Sequence, residues 1–147
     1  MKKALLRLTG MLALAFLAAP QIVRAQEPVL ANIPFEFTAG QMTFPAGEYR
    51  VQKAGENSPV LLIQRTDRTV AALATSFAAA ANERQAQTKL VFHRYGDRYF
   101  LSQVWVAGSS RGRELPKSAK EKEQALAARN ETRDEVTIIA RLTPSKP

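Results

Sequence analysis

Leu90-Val91-Phe92-His93-Arg94-Tyr95-Gly96-Asp97-Arg98-Tyr99-Phe100-Leu101-Ser102-Gln103-Val104-Trp105-Val106 is two aromatic and β-branched runs around a two-residue, glycine-first turn. That pattern predicts a β-hairpin. Glycine at the first loop position suits a type II′ turn, where only that residue needs positive φ. A two-residue loop also fixes the pairing. Tyr95 should face Arg98, Arg94 should face Tyr99, His93 should face Phe100 and Phe92 should face Leu101. Large apolar groups stand on both faces, so the hairpin should lie centrally in its sheet.

The segments on either side extend the same reading. Ile33 to Phe37 contains Pro34 and suits an edge strand, where proline breaks no ladder bond. Pro45-Ala46-Gly47 marks a turn. In Glu48 to Lys53, Tyr49 and Val51 alternate with Arg50 and Gln52, as in a half-buried antiparallel strand. Gly55 to Pro59 is a second turn. Val60 to Gln64 is an apolar run, consistent with a buried strand, and Arg65 to Thr69 is a short polar connection. Val70 to Phe77 reads as one strand despite its alanines. Ala78 to Gln87 and Gly108 to Gly112 read as loops. A helix is expected to begin near Pro116 to Ser118, with Ser118 and Glu121 as a capping box and Asn130 able to end it. Leu115, Ala119 or Lys122, and Leu126 would form a thin apolar stripe. Glu135 to Arg141 reads as the last strand. No internal repeat is visible. Six or seven short strands and one late helix predict a mostly β fold, a small antiparallel β-sandwich or partly closed β-barrel with one surface helix in the C-terminal half.

Residues 1–25 read as a signal peptide. Lys2, Lys3 and Arg7 precede an uninterrupted apolar run from Met11 to Ala19. The run is shorter than the ~20 residues that span a bilayer. Pro20 ends it, and Val23-Arg24-Ala25 suits a signal peptidase. Residues 26–142 then form a single β-rich domain, with 143–147 a flexible tail. The expected location is exported, either periplasmic or extracellular. After cleavage no membrane span is expected.

Cleavage also changes the charge argument. The whole chain has 21 basic and 13 acidic residues, a net charge of +8. Loss of Lys2, Lys3, Arg7 and Arg24 leaves 17 against 13, a net charge of +4. The remaining positives are interleaved with acids, notably from Lys117 to Arg133, so nucleic-acid binding is not expected. With no cysteine, disulfides and lipid attachment through cysteine are excluded, and with one histidine a structural zinc site is disfavoured. No cofactor is implied.

Ile33-Pro34-Phe35-Glu36-Phe37, Phe44-Pro45-Ala46-Gly47-Glu48-Tyr49-Arg50-Val51, the stretch Leu90 to Leu101, and Gly112-Arg113-Glu114-Leu115-Pro116-Lys117-Ser118 cover much of the chain after the leader. Together they resemble a group of small, uncharacterised secreted β-rich proteins common in acidobacteria. The resemblance implies export and a β-rich domain. It assigns no activity and no site residue.

Five residues are candidates for binding or chemistry. His93, the single histidine, suits acid–base work or a packed position against Phe100. Tyr99 and Trp105, with Tyr95 nearby, could form an aromatic platform for a sugar; by simple alternation Tyr99 and Trp105 share a face. Arg111 and Arg113 in a loop could hold an anion, although the segment lacks the setting of a phosphate loop. The carboxylates Glu121, Glu123, Glu131, Asp134 and Glu135 read as a solvated helix face rather than a metal site. Asn130-Glu131-Thr132 matches a glycosylation sequon by coincidence. The leading expectation is an exported, non-catalytic β-domain that binds an envelope protein or cell-wall polysaccharide. A small hydrolase or isomerase using His93, and a carrier of a small apolar ligand, are the alternatives. Intact mass of the exported protein should show a chain beginning at Gln26; a product retaining Met1 refutes the cleavage reading.

Overall fold

The computed structural model describes residues 27–128 and 133–143. The expected leader, the helix end at Asn130, the sequon and the tail from 144 onward lie outside the described residues. The described chain begins with β1 (Val29–Ile33), β2 (Phe37–Ala39), β3 (Met42–Phe44), β4 (Gly47–Lys53), β5 (Val60–Arg65) and β6 (Ala71–Thr75). It continues with β7 (Phe77–Ala80), β8 (Lys89–Tyr95), β9 (Arg98–Trp105), β10 (Arg111–Glu114), α1 (Ala119–Ala127), β11 (Asp134–Ile139) and β12 (Arg141–Leu142). One sheet has the order β12-β1-β4-β5-β6, and the second has β11-β8-β9-β10-β7, with β2 and β3 joined to it through β9. The two sheets pack face to face as a small β-sandwich, not a closed barrel.

The β8–β9 hairpin is the centre of the second sheet. All four expected pairs form: Tyr95 with Arg98, Arg94 with Tyr99, His93 with Phe100, and Phe92 with Leu101. Gly96 has φ 62° and Asp97 stays at negative φ, the II′ combination that glycine permits. Beyond Leu101 the ladder slips. Val91 pairs with Gln103 while Phe92 pairs with Leu101, so Ser102 is an extra residue, a β-bulge. The bulge reverses the alternation. Leu101 and Val104, three apart, both enter the core.

An aromatic cluster fills the space between the sheets. Phe37, Phe44 and Phe92 of the second sheet meet Tyr49 of the first; Phe37 lies 5.1 Å from Phe44, 5.1 Å from Tyr49 and 5.5 Å from Phe92. Three of the four contacts among these rings are edge-on, the arrangement that ring quadrupoles favour. Tyr49 is fully buried, and its hydroxyl donates to the Pro45 carbonyl. This is a filled interior rather than a hollow one.

Several expected elements are corrected, three of them for one common reason. Strands that read as continuous in sequence pass from one sheet to the other and break at the corner, as happens where strands turn between packed sheets. Ile33 to Phe37 is not an edge strand: Ile33 ends β1, which is flanked by β12 and β4, and Pro34 to Glu36 link it to β2. Val70 to Phe77 is split at Ser76 into β6 and β7, and Glu135 to Arg141 is split at Ala140 into β11 and β12. The loops at 78–87 and 108–112 each give residues to a strand pair, Ala78–Ala80 against Arg111–Arg113. Val60 to Gln64 is half-buried, with Leu61 and Ile63 inward.

The Ser76 corner is closed by polar contacts. Ser76 donates from both its N–H and its hydroxyl to the Pro59 carbonyl, at 2.8 and 2.7 Å. Arg113 donates to the Ser76 hydroxyl and carbonyl at 2.9 and 2.8 Å. These bonds satisfy groups that the broken ladder leaves open.

Gly112 faces Trp105 in register, and a Cβ placed there would lie 2.6 Å from the indole and 2.7 Å from the Val104 carbonyl. Gly112→Ala should therefore lower stability by about 1–3 kcal/mol, the cost of overpacking a close contact. Urea unfolding should show a lower midpoint at unchanged slope; an unchanged midpoint would mean that the indole moves aside freely.

Candidate functional site

The outward face of β8 and β9 carries Val91, His93, Tyr95 and Phe100, and helix α1 lies across it. Ser118 accepts the Glu121 N–H at 3.2 Å, the side-chain half of the expected cap. The reciprocal half is absent. The Glu121 side chain turns away from the helix end and into the sheet, where Oε1 receives His93 Nδ1 at 2.6 Å and the Tyr95 hydroxyl at 3.1 Å.

Glu121 is 4% exposed and is the buried residue of the helix, while Leu126 is 64% exposed. The expected apolar stripe is therefore corrected. Leu115 is buried but precedes the helix, and α1 is anchored by a carboxylate. The reading of Glu121 as part of a solvated face fails with it. Burial pushes the Tyr95 phenol above its ordinary value, and the neighbouring Glu121 charge and hydrogen bond push it further. Burial raises the Tyr49 phenol in the same direction.

Beside the helix the sheet widens. β2 runs parallel to β9, with Phe37 opposite Tyr99 and Thr38 opposite Phe100, and β3 pairs beyond it. Phe37 and Phe44 face the core, which leaves Thr38 and Thr43 on the outward face, their hydroxyls 3.2 Å apart. Between this extension and α1 lies an open groove of about 470 Å³. Glu36, Thr38, Thr43, Tyr99 and Phe100 line one side, Lys120, Glu123 and Gln124 the other, with Asp97 and Arg98 at the hairpin turn. Its size falls within the range of ligand sites, about 300–1,000 Å³.

The sequence candidates are scattered. Tyr99 lines the groove, but its ring turns inward and stacks on Phe35 at 3.8 Å. Trp105 lies on the opposite face of β9, 6% exposed, donating to Gln103 at 3.0 Å. The expectation that Tyr99 and Trp105 share a face is thus corrected, because the extra Ser102 reverses the parity between them. Arg113 is held in the Ser76 corner, and Arg111 is exposed on β10, away from the groove. Both therefore stand on a strand rather than in a loop.

His93 meets a carboxylate, the contact a general base would use, yet it is 9% exposed beneath the helix, and the groove lining excludes it. In this arrangement its ring nitrogen is engaged by Glu121 of α1. Among the described residues no three acidic or histidine side chains converge as a metal site. No helix among them is long and apolar enough to cross a membrane. The residues that sequence reasoning missed are Glu36, Asp97, Arg98, Lys120 and Glu123 around the groove, and Glu121 as the anchor. The Ser118-x-x-Glu121 spacing marked Glu121 as special, but for capping. The chain matches no protein-family model, no curated protein and no solved structure.

Two outcomes follow. Glu121→Ala leaves His93 and Tyr95 without their acceptor and should cost about 3 kcal/mol in chemical unfolding; a loss within experimental error would show that the triad does not anchor the helix. For pH, a raised folded pKa means that the folded state holds the phenol proton more tightly. Tyr95 therefore contributes stability below its unfolded value of about 10, and that contribution is lost as pH rises through the higher folded value. Alkaline unfolding curves of Tyr95→Phe should have a shallower slope, the remainder belonging to Tyr49. Identical alkaline limbs would refute the assignment.

Proposed function

We propose that the chain is an exported, non-catalytic β-domain that binds a partner of the bacterial envelope through the groove between α1 and the β2–β3 extension. The groove carries this reading. It is an open, polar hollow of about 470 Å³ on an otherwise filled sandwich, walled by a helix that a buried polar triad fixes in place. The apolar leader and the resemblance to secreted proteins support export. The partner classes compatible with this location are an envelope protein and a cell-wall polysaccharide. A small apolar ligand fits poorly, because the interior is occupied by Phe37, Phe44, Tyr49 and Phe92 and the groove presents charges. A hydrolase or isomerase centred on His93 fits poorly because helix α1 covers the ring.

Capture from envelope extract tests the reading if the groove itself is varied. Thr43→Trp, at an exposed position in the groove, should reduce recovery of a specific component to background, whereas Arg111→Ala, on β10, should leave recovery unchanged. Equal recovery with both variants, at unchanged melting temperature, refutes the groove as the binding site.

A further inference from the structure

The charges of the groove define the chemistry of its occupant, and this inference rests on the groove-binding reading. Glu36, Asp97 and Glu123 line the hollow together with Arg98 and Lys120. All five are exposed, and none of them forms an ion pair with another described residue. They stand on three separate pieces of chain: the link before β2, the β8–β9 turn, and α1. Charges of both signs thus stand around one hollow with no ion pair joining them, so they complement a ligand that itself carries both signs.

A neutral polysaccharide would need an open aromatic face. Phe37 and Phe100 are 1% and 3% exposed, and Tyr99 lies stacked on Phe35. Two of these rings are buried and the third has one face covered. The Thr38 and Thr43 hydroxyls, by contrast, can donate to and accept from peptide amides.

We propose that the groove takes an extended polypeptide segment bearing at least one basic and one acidic side chain. The basic group lies among Glu36, Asp97 and Glu123, and the acidic group lies toward Arg98 and Lys120. The charges are solvent-exposed, so binding is steered and screened as surface electrostatics are.

The test uses the exported protein, with calorimetry for affinity and backbone-amide NMR shifts for location. The probes are an octapeptide of mixed lysine, glutamate and alanine, a serine–glycine octapeptide of the same length, and a hexamer of N-acetylglucosamine. The mixed-charge peptide should bind, with shifts confined to residues 36–43, 97–100 and 120–124. Its affinity should fall about tenfold on raising salt from 50 to 500 mM, conditions that shorten the screening length severalfold. Arg98→Ala combined with Glu123→Ala should weaken it by a similar factor, while the melting temperature stays unchanged because both side chains are exposed. Equal binding of the serine–glycine peptide, or indifference to the double variant, overturns the charge assignment. Sugar binding in the groove without peptide binding overturns the peptide assignment but leaves the groove reading standing. Absence of binding by every probe overturns this proposal, and the envelope capture with Thr43→Trp then decides the groove reading independently.

Discussion

Strand β9 has two edges and three partners, and that constraint organises the second sheet. One edge is taken along its length by β8. The other is divided: β2 pairs at Tyr99 and Phe100, and β10 pairs from Gln103 to Trp105. The division falls at the bulge, where the Ser102 carbonyl accepts the Leu115 N–H at 2.8 Å. A strand without the extra residue would send Leu101 and Val104 to opposite faces, and one of these core contacts would be lost. The bulge therefore serves two ends at once. It keeps both apolar side chains inward, and it marks the point where the free edge changes partner. The β2–β3 extension, and with it one wall of the groove, exists because β10 leaves the first half of that edge free.

Local chemistry made part of this legible. The glycine-first turn and the period of two specified the β8–β9 hairpin down to its facing pairs, because a two-residue loop leaves no freedom in register. The alternation around Tyr49 and Val51 likewise gave β4 and its buried face. What alternation could not show was where a strand changes sheet. Ser76 and Ala140 carry no turn signature, since an extended backbone can bend between layers without glycine or proline. Their breaks are set by the distant groups that satisfy them: Pro59 and Arg113 for Ser76, and the Thr88 carbonyl for the Ala140 N–H. The bulge at Ser102 escaped for a similar reason. Serine suits either side of a sheet, so the parity that seemed to join Tyr99 and Trp105 was carried one residue too far.

The site was less legible than the fold because its parts meet across long separations. Glu36, Arg98 and Glu123 share no local pattern. They converge only because β2 docks parallel to β9 while α1 crosses the outward face of the same sheet. Glu121 illustrates the limit well. Its neighbours Lys120, Lys122 and Glu123 are all exposed, and interleaved charge is the ordinary signature of a solvated helix. One carboxylate among them is buried, and only the placement of His93 and Tyr95 on the facing strand reveals which.

That burial explains why a helix so poor in apolar contacts has a defined position. Apolar contact is non-directional and tolerates rotation and sliding, whereas two hydrogen bonds to one carboxylate oxygen do not. Taking a carboxylate out of water is costly, and a well-packed apolar anchor could hold the helix with equal or greater stability. The polar anchor instead fixes azimuth. Glu121 receives the cap from Ser118 at its N–H and is held by the sheet at its side chain, so the start of the helix and its attachment coincide within one residue. Lys120, Glu123 and Gln124 lie within a turn of that point. Their directions into the groove follow from the position of one oxygen atom, and a rotation of the helix that broke its two bonds would turn all three away together.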